Sequence, residues 1–176
     1  MKAFVSYTRG KDLYGVVRKF VDHLQNEFGF TQLGSKVFQD RNDISPGMNI
    51  SEAIKRALDD ADVLLVLVSP AWLKTTWCQD EFNWFMAKKT PTGENRCVLP
   101  VLWVDTPGIS SPEDSSMAIT PQEKSIAEQI KKILYADWSE LRLQGWDVPE
   151  TAIAIAHLAK DAIKLSTKQQ REASMI

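Results

Sequence analysis

Cysteine is scarce in this chain. Its two cysteines, Cys78 and Cys97, form no CxxC pair, which excludes a disulfide scaffold and a structural zinc site and fits a reducing compartment. Histidine is equally rare. His23 and His157 each fall within a helical apolar pattern, so a nucleophilic Cys78 at a helix start has no evident base beside it. Long apolar runs are missing, since none approaches the roughly 18 residues of a membrane span. The first residues lead straight into a β-rich segment, without the charged region, apolar stretch and cleavage site of a secretory leader. Charge of one sign is not in excess either. Lys and Arg number 21 against 23 Asp and Glu, and a net charge of -2 provides no field to hold nucleic acid or an anionic membrane. These absences predict a cytoplasmic, soluble protein that binds neither.

What is present is enough for one core. The 176 residues are 44% hydrophobic and 25% charged, the profile of a folded globular domain. Residues 1–165 are read as that domain, and the polar residues 166–176 as a frayed tail or the start of a linker. Ala3-Phe-Val-Ser-Tyr7 reads as a strand, followed by a helix with Leu13, Val16, Val17, Phe20, Val21, Leu24 and Phe28 on one face and Gly29 as its end. Residues 36–39 form a short strand, and a loop follows from Asp40 to Met48, marked by Pro46-Gly47. Asn49 with Glu52 opens a second helix, and residues 63–68, apolar throughout, read as a strand covered on both faces. Residues 69–76 read as a loop and residues 77–88 as a helix that Thr75 or Thr76 caps. A fourth strand is predicted at 98–104, where Pro100 requires an edge or a bulge. A Ser- and Pro-rich loop over 105–121, a helix at 122–132, a weak strand at 134–138 and a final helix complete the order.

Alternating strands and helices predict an α/β fold, a flavodoxin-like three-layer arrangement whose five-stranded parallel sheet has the order 2-1-3-4-5. Ligands of such sheets bind beyond the carboxyl ends of the strands where the order reverses. That places the expected site at Tyr7 to Asp12, at the segment that Ser69 opens, and at the loop beginning with Asp40. Several chemistries fail there. A phospho-acceptor receiver needs an Asp at the end of the third strand, where Ser69-Pro70 stand. A phosphate-cradling loop needs more than the single glycine of Thr8-Arg-Gly-Lys-Asp12, and no GxSxG elbow exists. The richest segment runs from Ser69 to Glu81, with Trp72, Trp77 and the acidic pair Asp80-Glu81 close to one helix start.

Phe4-Val-Ser-Tyr7, Val37-Phe-Gln-Asp40 with Ile44-Ser-Pro-Gly47, Val66-Leu-Val-Ser-Pro70 and Trp77-Cys-Gln-Asp-Glu81 occur in the order and on the elements of the TIR (Toll/interleukin-1 receptor) domain family. The chain resembles that family over about residues 1–165, and in particular its bacterial-type NADase effectors. The resemblance implies one of two functions. Some TIR domains are scaffolds for TIR–TIR contacts in signalling, while others cleave NAD+ to nicotinamide and ADP-ribose or a cyclic variant, often in antiviral or immune defence. The enzymes use a glutamate of the third helix, which by motif position is Glu81. The implied NAD+ is a substrate, and neither a cofactor nor a metal is implied. Trp72 or Trp77 would stack on adenine or nicotinamide, and Arg9 and Lys11 would meet the pyrophosphate. Glu81 is expected to stay ionised because of the helix N-terminus. The loop at 40–48 would act as a lid hinged at Gly47 and as a self-association contact, with a sensor domain or partner protein supplying the trigger.

Overall fold

A computed structural model describes residues 1–10, 15–32, 34–39, 49–90, 93, 95–111 and 119–173. The first strand, β1 (Lys2–Ser6), is followed by helix α1 (Val16–Thr31) and strand β2 (Lys36–Phe38). Helix α2 (Ile50–Asp60) and strand β3 (Val63–Val68) come next, and then two helices in close succession, α3 (Pro70–Lys74) and α4 (Thr76–Ala87). Strand β4 (Cys97–Leu102), helix α5 (Pro121–Lys131), strand β5 (Ala136–Asp137) and helix α6 (Pro149–Ala173) complete the chain. The five strands are parallel throughout, in the order β2-β1-β3-β4-β5, as the alternation of elements predicts.

Strand alternation decides what each face carries. Val63, Leu65 and Leu67 join Phe20, Leu24, Leu158 and Trp138 in the core beneath α1 and α6. Leu64, Val66 and Val68 join Phe82, Phe85, Ile54 and Ile126 in the core beneath α2, α4 and α5. On β1, Phe4 belongs to the second core and Val5 to the first. The same period of two turns Ser6 toward α4 and Tyr7 toward α1. This alternation separates two residues that sequence alone places in one site.

Several local expectations change. Gly29 does not end α1, which continues to Thr31, and the left-handed turn is taken by Gly34 at φ 80. Phe28 sits in the core and holds the last turn in place, while the Thr31 hydroxyl donates to the Glu27 carbonyl. Residues 70–74 are helix rather than loop, because Ser69 caps the Trp72 amide at 3.0 Å and Pro70 suits a first turn. Thr75 caps α4 without its side chain, since that hydroxyl donates to the Ala71 carbonyl. Strand β4 tolerates Pro100 because β5 spans two residues, paired only with Val101 and Leu102. The Trp103 amide points to β3 and the Leu102 carbonyl to β5, so alternation aims Pro100's missing donor at the open side of β4. Residues 166–173 continue the last helix. Ile155, Ala159 and Ala162 bury one stripe of α6, and Ser166 extends it at helical spacing, so the helix runs to Ala173.

Arg96, ahead of β4, closes the far end of α2. Its Nη2 donates to the carbonyls of Leu58 (3.0 Å), Asp59 (3.2 Å) and Ala61, and its guanidinium lies 3.9 Å from the centre of the Phe85 ring. Burial pulls its pKa below the usual arginine range, while Asp59 and Asp62 act in the other direction. Arg96→Met keeps the contact on Phe85 and strands those carbonyls. A loss of about 1–3 kcal/mol in urea unfolding is expected.

Candidate functional site

Three elements converge on one carboxylate. Glu81 lies on the second turn of α4 and is only 6% exposed, so its charge requires partners within the protein. The Ser6 hydroxyl, at the carboxyl end of β1, donates to Oε2 at 2.6 Å. The Trp77 indole donates to Oε1 at 2.6 Å, a contact that the spacing of four residues on a helix makes possible. Arg9 places Nη2 3.7 Å from the same oxygen. Ser6 and Trp77 donate hydrogen bonds and Arg9 adds a positive charge at ion-pair distance, which is what a carboxylate needs.

A second layer holds the first. Trp72 is fully buried and donates from its indole to Ser6 Oγ at 3.0 Å. Because an indole can only donate, Ser6 Oγ must accept there, and its own hydrogen is left for Glu81. The Trp72 ring is fixed edge-on against Phe82, 6.0 Å between centroids. Gln79 ties α4 to α3 through the Leu73 carbonyl at 2.8 Å. The Cys78 thiol is buried and donates to the Tyr7 carbonyl at 3.4 Å, and His23 stacks on Trp146 away from it.

Beside Glu81 a cavity of about 370 Å³ opens between α2 and α4, within the usual size of small-molecule sites. Ile54, Leu58, Trp77 and Trp84 form its apolar walls, and Lys55, Asp80 and Glu81 supply charge. Arg9, 28% exposed, lies over the Trp77 ring at 4.9 Å. One guanidinium thus covers both the aromatic face and the carboxylate.

The structure brings together Glu81, Trp77 and Arg9 and separates the rest. Trp72 cannot stack on a ligand, because it is buried behind Ser6, and the expectation is corrected to a positioning contact. Tyr7 and Ser69 line another cavity under the opposite face of the sheet, and Ser69 is the cap of α3. Lys11, Asp40 and the loop at 40–48, Gly47 included, lie outside the described residues. The helix N-terminus does not reach Glu81. A helix dipole acts within its first turn, which Glu81 is past, and its carboxyl group is held by the Ser6 hydroxyl and the Trp77 indole with the Arg9 guanidinium nearby. Ser6 is a contact to Glu81 that the motifs do not single out, although a hydroxyl inside an apolar strand needs a partner.

Among the described residues no group of His, Cys, Asp and Glu could hold a metal ion, and no helix is long and apolar enough to cross a membrane. A family model described as TIR domain matches residues 3–139 and stops before α6. The TIR domain of the Toll-related receptor TRR-2 from Hydra magnipapillata is similar in structure, with a TM-score of 0.55 and 16% identity over 92% of this chain and 97% of that one. The TIR domains of the activated Roq1 resistosome, which directly recognizes the pathogen effector XopQ, match with a TM-score of 0.49 and 17% identity over 97% and 98%. No curated protein sequence matches the chain.

Proposed function

As the chain belongs to the TIR domain family, we propose that it is an NAD+ glycohydrolase of the bacterial effector type in which Glu81 is the reacting carboxylate. The observation that carries this reading is a carboxylate 6% exposed, fixed by Ser6 and Trp77, at the wall of a small-molecule-sized cavity. One carboxylate is sufficient. Most glycosidases need a second carboxyl group to protonate a leaving oxygen, whereas nicotinamide leaves neutral from a cationic bond. The remaining task is to stabilise positive charge developing on the ribose, and a fixed, desolvated anion does this best.

Arg9 then has two positions. With no ligand it occupies the Trp77 face and pairs with Glu81. The pyrophosphate of NAD+ offers it a stronger bidentate partner, and its departure uncovers the indole for the nicotinamide cation and leaves Glu81 uncompensated beside the ribose. Assembly through TIR–TIR contacts, including the loop at 40–48, completes the site. Cytoplasmic defence that depletes NAD+, under a sensor domain or partner protein, is the role this activity fits.

Incubation of the purified chain with NAD+, followed by chromatography, tests the reading. Nicotinamide is expected together with ADP-ribose or its cyclic form, and turnover per chain rises with protein concentration. NAD+ left intact at every concentration, with the chain still self-associating, would instead support a non-catalytic scaffold. Ser6→Ala gives a finer test of the carboxylate's mounting. A fall in kcat of about 10- to 100-fold at nearly unchanged KM is expected, as for other groups that orient a reacting residue.

A further inference from the structure

Under the opposite face of the sheet from Glu81, a cavity of about 290 Å³ opens at the carboxyl ends of β1, β3 and β4. It sits where the strand order reverses between β1 and β3, the crevice that open parallel sheets use for ligands. Its walls include Leu67, Pro70, Trp103 and Val104, and among the described residues its charge comes from Arg142 alone. Arg142 stands on a 3-10 turn (Leu141–Leu143) whose Arg142 amide donates to the Trp138 carbonyl, so the residue enters the cavity from a fixed base.

Two polar atoms of this lining are buried with no hydrogen-bond partner, Thr8 Oγ1 and Arg142 Nε. Such groups are rare in folded proteins because each forfeits its hydration for nothing, and a charged donor forfeits more. Here both belong to one cavity. An apolar pocket with an aromatic wall and a few convergent polar groups is the usual form of a small-molecule site. The positive charge of Arg142 calls for an anion. A phosphate has enough acceptor oxygens to take the Arg142 Nε–H and the Thr8 hydroxyl together, and Trp103 offers contact to a flat ring.

We propose that this cavity is a second ligand site, for a ring-bearing organic phosphate of about mononucleotide size, separate from the Glu81 site and independent of the NAD+ reading. Tyr7 and Ser69, which the strand order points to as binding residues, belong to this site. The two sites lie back to back across β1, with Ser6 and Arg9 serving one and Tyr7 and Thr8 the other.

Titration of the labelled protein with AMP, adenosine and inorganic phosphate, followed by NMR at the Arg142 Nε–H and the Trp103 indole N–H, tests the proposal. AMP is expected to shift both signals and to bind at least about tenfold tighter than adenosine or phosphate, since only AMP supplies both ring and charge. Arg142→Gln should weaken AMP by at least about tenfold, the worth of one charged hydrogen bond, and Thr8→Val should weaken it less. Glu81→Gln should leave it unchanged. Signals that stay in place in the wild-type protein, at millimolar AMP, would overturn the proposal without reference to any variant. AMP binding that survives Arg142→Gln or disappears in Glu81→Gln would overturn it as well, by placing the nucleotide in the other cavity.

Discussion

Glu81→Gln is expected to lower nicotinamide release by on the order of 10³-fold or more and to leave the fold intact. Glutamine has the shape of glutamate and can keep both close contacts. Its carbonyl accepts from the Trp77 indole, and its amide donates to Ser6 Oγ, which has a second lone pair beyond the one given to Trp72. What disappears is the charge, the one property that stabilises a ribosyl cation. Glu81→Ala is a poorer probe because it also leaves Ser6 and Trp77 without an acceptor inside the protein. The measurement is nicotinamide formed per chain, with thermal unfolding of both proteins as the control. An unfolding temperature close to wild type together with more than a tenth of the activity would remove Glu81 from the chemistry.

Trp72→Ala is expected to cost about 3–5 kcal/mol, the usual penalty for emptying a large aromatic site in a core. That is a large share of the 5–15 kcal/mol that typically holds a domain together, and the midpoint should fall by about 6–20 °C in calorimetry. The indole has two roles here. Its ring fills the space beside Phe82 between α3 and β1, and its N–H fixes Ser6. Trp72→Phe separates them. Most of the packing stays and the donor is lost, so stability falls by only about 1–2 kcal/mol while nicotinamide release falls as it does in Ser6→Ala. A Trp72→Ala protein that unfolds within about 2 °C of wild type would contradict its place at the centre of the second core.

How much of this is written in the sequence depends on the residue. The unbroken apolar run of β3 and its alternation with helices gave the sheet and its order, because a strand buried on both faces has few other homes. Trp77 and Glu81 were legible as a pair once α4 was placed, since four residues on a helix put them side by side. Trp72 was not. Whether an indole faces a ligand or the sheet depends on how α3 packs, and a five-residue helix carries no periodicity from which to read its buried side. Tyr7 and Ser69 show another limit. The switch-point rule places ligands at the carboxyl ends of the strands but does not say on which side of the sheet, and here there is a cavity on each side. Gly29 is a simpler case, a preferred stop residue overruled by the burial of Phe28 beside it.

The most direct measurement uses NAD+ labelled in the nicotinamide ring, given to wild-type chain and Glu81→Gln at the same folded concentration, with released label counted over time. The account predicts steady release by the wild-type protein, one nicotinamide for each NAD+ consumed, and almost none from the variant. Equal release from both, or label that stays in NAD+ with the wild-type chain at every concentration, would contradict it.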